Sequence, residues 1–139
     1  MKSIRICAFC CECFRRKNQI IYEDSLVLAI VDHMPKAKKH VLVIPHEHLS
    51  SVDSLTSAHT DLLEHMLITG KDILAKDGYI DKENREFGFH RSLFASIPHL
   101  HMHCFGLPFV PMWNRLRYTE TIMPSYVRAE NALAALRTK

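Results

Sequence analysis

The sequence predicts an α+β domain with a mainly antiparallel sheet, one long helix and a short C-terminal helix. Short β-rich runs occur in two pairs, and an apolar repeat of helical spacing separates the pairs. The connections within each pair are short, which is typical of hairpins. The chain has 139 residues, of which 47% are hydrophobic and 24% are charged, and these values fit one compact domain over residues 1–139.

The first strand pair precedes the long helix. Residues 26–31 form a β-rich run that ends at Asp32, and a Met-Pro turn follows it. Residues 41–44 form a second run, which Pro45 closes. These runs predict two adjacent strands joined by a basic loop over residues 35–40.

The long helix is predicted over residues 56–76, where leucine, isoleucine and methionine recur at helical spacing. Its histidines, His59 and His65, are interpreted as surface or boundary residues rather than ligands. Residues 86–90 and 99–105 follow as the second strand pair, with a loop around residues 92–98 between them. The alanine-rich residues 129–137 predict the closing helix.

Charge and cysteine content narrow the classes of function. The formal net charge is +3, and we interpret the basic clusters as solvated faces, so a nucleic-acid partner is not expected. No apolar run is long enough to span a bilayer and no secretory signal is recognised, so we expect a protein of the cytoplasm, with the nucleus as a further compartment. Four of the five cysteines lie within residues 7–13, which favours a metal site or reduced thiols over disulfides.

Residues 99–105 carry the most specific pattern, His-Leu-His-Met-His-Cys-Phe. On a β-strand His99, His101 and His103 share one face, while the apolar residues between them share the other. Imidazole titrates near neutrality and serves as a nucleophile, an acid, a base or a metal ligand. Three imidazoles on one strand face therefore predict a catalytic or metal site.

This run resembles the signature of the histidine triad family, in which histidines alternate with apolar residues. The resemblance extends to the first strand pair, Leu-Ala-Ile-Val-Asp at residues 28–32 and His-Val-Leu-Val-Ile-Pro-His-Glu-His at residues 40–48. Residues 88–90 and 96–99 are similar to the Hint-like branch of the family. The resemblance covers about residues 7–105 and implies the family's fold for the single domain.

The family resemblance implies nucleotide chemistry at the α-phosphate of a nucleoside monophosphate derivative. His101 would attack the phosphorus and form a covalent nucleotidyl-histidine, which water then cleaves. His103 would hydrogen-bond the phosphoryl oxygens or the leaving group, and His99 would orient the site. The expected substrates are adenosine phosphoramidates or adenylated amines, as for a purine nucleoside phosphoramidase.

Further substrate contacts follow from the same resemblance. Asp32 would pair with the ribose hydroxyls, and His33 would line the base pocket. His90, which stands where many members carry asparagine, and Ser96, in the loop before the triad, would also contact the substrate.

A zinc site is also implied. Alone, Cys7-Ala-Phe-Cys10 is a weak signal for zinc or redox chemistry, and unliganded thiols explain it as well as both together. Zinc-carrying family members begin with such a pair and add two histidines. The resemblance therefore implies one structural Zn²⁺ held by Cys7, Cys10, His48 and His99. Cys11 and Cys13 are alternatives to either cysteine.

Assembly and alternative functions remain as expectations. Family members pair through the long helix and a sheet edge, so a homodimer is expected. Leu63, Met66 and Leu67 are candidate contacts, and packing on the chain's own sheet is an equally good interpretation for each of them. Within the family, the alternatives are hydrolysis of dinucleoside polyphosphates and removal of adenylate from nucleic-acid ends. Outside it, they are a nucleotide-binding scaffold with vestigial activity and a purely structural zinc protein.

Overall fold

The protein is described by a computed structural model of residues 9–10, 12–91, 97–121 and 125–139, with backbone only at residues 12 and 13. Among these residues, no helix is long and apolar enough to cross a membrane. The helices and strands, in chain order, are α1 (Glu12–Lys17), β1 (Ile20–Glu23), β2 (Val27–Val31), β3 (Ala37–Pro45), α2 (Thr60–Ala75), β4 (Arg85–His90), β5 (Met102–Phe109), β6 (Tyr126–Arg128) and α3 (Ala129–Arg137).

The predicted α+β class with an antiparallel sheet is confirmed. The six strands lie in the order β1-β2-β3-β5-β4-β6, and each neighbouring pair is antiparallel. The predicted hairpin is β2 with β3, in which Val31 opposes Val41. Strand β5 lies between β3 and β4, so that His103 has Leu42 on one side and Gly88 on the other. The last part of the histidine motif is therefore central in the sheet.

Helices α2 and α3 cover one face of the sheet and form the main core with it. Leu63, Met66 and Leu67 are buried in this core. They are therefore not free to contact a partner, and their assignment to a dimer interface is wrong. A helical repeat indicates which face of a helix is apolar, but the same repeat serves a sheet of the same chain or a second subunit.

Several predicted boundaries differ from the observed ones. Strand β3 begins at Ala37, so the basic loop is shorter than predicted, and β5 begins only at Met102. His99 and His101 precede the strand because the backbone there bonds elsewhere: the Leu100 N–H donates to the Leu49 carbonyl at 2.6 Å. The long helix starts at Thr60, after a 3-10 turn over Ser57–His59.

The short edge strands β1 and β6 are absent from the sequence prediction. Strand β6 pairs with the end of β4, where Tyr126 opposes His90, and the Tyr126 ring lies over Gly88. A side chain at Gly88 would collide with the Tyr126 ring, so only glycine allows this approach. The Tyr126 hydroxyl donates to a Glu86 carboxylate oxygen at 3.2 Å. This hydrogen bond joins β6 to β4 near His90, which is the last residue of β4.

Candidate active site

A pocket of about 450 Å³ opens on the sheet face opposite α2. Phe9, Phe14, Ile30 and Leu42 form an apolar wall at one end of the pocket. The other end is polar and aromatic, and His90, Arg117 and Tyr118 line it. His101 and His103 lie between the two ends, with ring centroids 5.1 Å apart. The pocket thus combines an apolar surface at one end with imidazoles beside it.

Hydrogen bonding determines which His101 nitrogen carries the proton of the neutral ring. The Nδ1 atom lies 2.8 Å from the His99 carbonyl oxygen, and only an N–H can bond to that oxygen. The neutral ring therefore carries its proton on Nδ1, and its Nε2 keeps a lone pair. Burial lowers the pKa of His101, which keeps the ring neutral at pH 7. His101 therefore presents a neutral nitrogen lone pair in the pocket.

His103 belongs to a chain of hydrogen bonds that starts in the backbone. The Lys36 N–H donates to Nδ1 of His40 at 3.1 Å, so the His40 proton lies on Nε2. His40 Nε2 donates in turn to Nδ1 of His103 at 2.9 Å. The His103 proton is thereby placed on Nε2, which is buried and has no partner within the described part of the chain. A buried N–H without an acceptor is costly, and a phosphoryl oxygen of a ligand would satisfy it.

Burial keeps both rings of this chain neutral. It lowers the pKa of His40 to about 4, and it lowers the pKa of His103 well below the usual value. His40, His103 and Asp32 also have the spacing of a metal site. The direct His40–His103 hydrogen bond accounts for that spacing without an ion.

Asp32 lies at the rim of the pocket, just after β2. Its Oδ1 accepts the Met34 N–H at 2.8 Å, which is the turn-capping role of an aspartate after a strand. Its Oδ2 lies 3.6 Å from His40 Nε2. His33 lines the same rim and is exposed. The carboxylate is therefore partly used by the fold and retains acceptor capacity toward the pocket.

His90, at the end of β4, packs its ring against His103. Its ring centroid is 5.2 Å from that of His103 and 4.9 Å from that of Tyr118. Its Nε2 donates to the Arg117 carbonyl at 3.1 Å, and its pKa is lowered chiefly by burial. His90 thus joins the end of β4 to the segment that carries Tyr118.

His99 lies in a separate cluster beside the pocket. Its Nε2 donates to the Pro45 carbonyl at 3.0 Å, so the lone pair of the neutral ring lies on Nδ1. That Nδ1 lies 3.1 Å from Nδ1 of His48 and 3.4 Å from Sγ of Cys10, and His48 Nδ1 is 3.3 Å from the same sulfur. His99 therefore acts in the pocket through its carbonyl, which orients His101, rather than through its ring.

Two residues expected in these sites lie outside the described part of the chain. They are Cys7, expected in the metal set, and Ser96, expected at the substrate. The alternative cysteine Cys11 is also outside it, and the side chain of Cys13 is not described.

The structure adds residues that the sequence interpretation missed. His40 lies 63 positions before His103 in the chain, and Tyr118 and Arg117 come from a segment without a recognised motif. Phe9 also lies edge-on to His101, with ring centroids 5.3 Å apart. Of these residues, only His40 had a signal in the sequence, because it is the first residue of the family-like segment 40–48.

Comparisons with known proteins agree with this geometry. Residues 7–119 match the family model described as scavenger mRNA decapping enzyme C-terminal binding. A HIT family hydrolase from Clostridium thermocellum is 26% identical, with a TM-score of 0.66 over 76% of this chain and 94% of that one. The bifunctional adenosine 5′-phosphosulfate phosphorylase/adenylylsulfatase HINT4 of Arabidopsis thaliana is 38% identical over 94% of this chain and 91% of its own. The chain belongs to the histidine triad superfamily.

Other relatives of this histidine triad protein carry different names. The adenosine 5′-monophosphoramidase HINT3 of Xenopus tropicalis is 32% identical over 70% of this chain and 65% of that protein. Aprataxin of Gallus gallus is 30% identical over 86% of this chain but only 38% of its own length. The superfamily assignment identifies the chain as a hydrolase of the histidine triad type that acts on nucleotides.

Proposed function

We propose that this histidine triad protein hydrolyses adenosine 5′-phosphate derivatives at the α-phosphate, with phosphoramidates and adenylated amines as substrates. The observation that carries the proposal is the pair of opposite tautomers at the centre of the pocket. His101 presents a lone pair, and His103 presents a buried N–H that lacks an acceptor. A phosphoryl group between them would be attacked by the first and hydrogen-bonded by the second.

The reaction proceeds in two steps. The His101 Nε2 lone pair forms a bond to phosphorus while the bond to the leaving group breaks, and an amine leaves with one proton taken up from water. A water molecule then attacks the phosphorus, the P–N bond breaks, and its electron pair returns to Nε2. The products are AMP and the free leaving group. His103 hydrogen-bonds the charged phosphoryl oxygens in both steps. This bond lowers the barrier most in the transition state, where negative charge develops on these oxygens.

The direct test is turnover of several adenylated compounds. Purified protein is incubated with adenosine 5′-phosphoramidate and with a dinucleoside polyphosphate, and AMP is measured by chromatography. Rapid acid-free quenching and mass spectrometry should show one adenylyl group on the peptide that contains His101. A nucleotide-binding scaffold would bind AMP without turnover and without this adduct.

Asp32 is proposed to contact the ribose. Asp32→Asn keeps an oxygen for the Met34 N–H and removes the charge, so it separates turn capping from substrate binding. Charge-assisted hydrogen bonds are stronger than neutral ones, so we expect KM for a ribonucleotide to rise about ten-fold. The difference between ribo- and 2′-deoxyribonucleotides should shrink in parallel. The test measures KM of the wild type and of Asp32→Asn for the ribonucleotide and for the 2′-deoxyribonucleotide. Equal KM values of the wild type for the two substrates would contradict the contact.

A structural zinc ion is proposed at Cys10, His48 and His99, with a further cysteine from residues 7–13 as the fourth ligand. In a tetrahedral zinc site, ligand atoms lie roughly 3.3–3.6 Å apart. The observed separations of 3.1–3.4 Å are close to this spacing. The Pro45 carbonyl already fixes the His99 ring in the orientation that a ligand needs. Zinc there would tie Cys10 to the segment that carries the triad.

The zinc proposal predicts about one ion per chain in protein purified without added metal. His48→Ala should lower the content below about 0.2 ions per chain, because it removes one of four ligands. His46→Ala is the matched control, since His46 lies two positions away and bonds to the Asp24 carbonyl instead. Elemental analysis of the wild type and the two variants measures the zinc content per chain. Folded wild-type protein that contains no zinc would favour free thiols.

The homodimer expected from the sequence stays a prediction. Strand β1 lies at one edge of the sheet, and β6 with the start of β4 lies at the other. Edge strands are the usual place where sheets of two subunits join.

A further inference from the structure

Large apolar side chains face solvent around the 3-10 helix Met112–Arg117. Asn114 is the buried residue of this helix, and its side-chain amide donates to the Val110 carbonyl at 3.2 Å. Trp113 is 71% exposed, although tryptophan is usually among the more buried residues. The exposed apolar residues of this segment are Val110, Met112, Trp113 and Leu116. Such a concentration within one short segment indicates an interaction surface rather than scattered exposure.

The loop between β2 and β3 extends this surface. The Lys36 carbonyl accepts the Val110 N–H at 2.9 Å, and the Lys36 Nζ donates to the Met34 carbonyl at 2.7 Å. Met34 is also exposed. We call these side chains the apolar patch: Met34, Val110, Met112, Trp113 and Leu116. Met34 and Lys36 also line the active-site pocket, so the patch lies at the mouth of that pocket.

The charge around the apolar patch is positive. The two segments that carry it, residues 33–41 and 107–117, contain lysines and arginines but no aspartate or glutamate. Lys39 pairs with Asp77 at 2.8 Å. Within the described ranges, no carboxylate lies within ion-pair distance of Lys36, Arg115 or Arg117. The patch therefore matches an occupant that is both apolar and anionic.

An anionic bilayer surface fits these properties better than a second copy of the chain. A second copy on a two-fold axis would bring the same cations face to face, which is unfavourable. Protruding side chains need no complementary groove in a fluid lipid surface. Tryptophan prefers the membrane interface, apolar side chains insert at the boundary of the acyl chains, and arginine is attracted to anionic headgroups.

We propose that the apolar patch binds this protein to the surface of an anionic phospholipid membrane. Trp113 and Leu116 insert between the headgroups, and Arg115 lies against the headgroup charges. This membrane contact is separate from the proposed hydrolysis, and its test needs no substrate.

Binding is measured by co-sedimentation with vesicles of phosphatidylcholine alone and with vesicles that contain about 30% phosphatidylserine. We expect a partition coefficient at least about ten-fold higher with phosphatidylserine at low salt, and a decrease when salt screens the charges. Because Trp113 is the only tryptophan of the chain, its fluorescence reports on this surface alone. Its emission should shift to the blue by about 10 nm on binding, because the indole leaves water for the headgroup region.

Two variants test the apolar and the charged parts separately. Leu116→Ser should lower the partition coefficient about ten-fold, because it removes an inserted side chain and keeps Trp113 as the reporter. Ile80→Ser is its matched control, since Ile80 is 63% exposed and lies between α2 and β4. Arg115→Gln should lower binding about five-fold with phosphatidylserine vesicles only. Lys82→Gln is the control for charge, because Lys82 is exposed on a different 3-10 helix.

Several results would overturn the proposal. They are no binding to phosphatidylserine vesicles, equal binding to both kinds of vesicle, and an equal loss of binding in Leu116→Ser and Ile80→Ser. Bound protein with unshifted Trp113 emission would show that another surface makes the contact. Light scattering tests the second copy: a dimer that Leu116→Ser converts to a monomer, without vesicle binding, would show that the partner subunit covers the patch instead.

Discussion

Replacing His101 with alanine is expected to abolish turnover while nucleotide binding is retained. The variant loses the lone pair on Nε2 of His101, which is available because Nδ1 carries the proton and donates it to the His99 carbonyl. Removal of the attacking group in covalent catalysis costs several orders of magnitude, so we expect a loss of at least about a thousand-fold in kcat. AMP should still bind within about three-fold of the wild-type affinity, because the apolar wall and Asp32 are unchanged. Single-turnover kinetics and calorimetry measure the two effects.

The control for His101→Ala is a surface histidine. His59→Asn changes a partly exposed residue at the start of α2 and should leave both measurements as in the wild type. His101→Asn provides a polar variant of similar shape and should be as inactive as the alanine variant. A rate above a tenth of the wild-type rate in either His101 variant would refute the nucleophile assignment.

Replacing His40 is expected to have the second largest effect, although its ring acts through His103. His40→Phe removes the N–H that holds the His103 tautomer and leaves Nδ1 of His103 unpaired. We expect kcat to fall about a hundred-fold with KM changed less than about three-fold, because the loss concerns charge that develops in the transition state. His40→Gln offers an oxygen to the Lys36 N–H and an N–H to His103, so it should recover part of kcat. Equal kcat in the Phe and Gln variants would indicate a packing role only.

His40 also predicts how stability depends on pH. Burial holds its folded-state pKa at about 4, below the value of about 6.5 in an unfolded chain. Between these values the unfolded chain binds the extra proton and the folded chain does not. The free energy of unfolding should therefore fall as the pH is lowered from about 6.5 to about 4. His40→Gln removes this contribution, so its denaturation midpoint should change less over that range.

The sequence by itself determined the parts of the protein that depend on local periodicity. Alternation within residues 99–105 predicted histidines on one face and apolar residues on the other, and Met102 and Cys104 are in the core while His101 and His103 line the pocket. The strand that ends before Asp32 and the helix Ala129–Arg137 were also predicted, because each pattern is complete within a few neighbouring residues.

Only the tertiary structure decided which nitrogen carries each proton and which group faces which. His40 meets His103 because β3 and β5 are adjacent, and no local pattern relates residues 63 positions apart. The ring of His99 does not lie in the pocket, where the alternation would place it. Its nitrogens contact the Pro45 carbonyl and His48 beside the pocket instead. Tyr118 and Arg117 complete the pocket from a segment without periodicity. The position of Leu63 on the chain's own sheet could not be predicted either. A helical repeat specifies an apolar face of the helix but not the surface that covers this face.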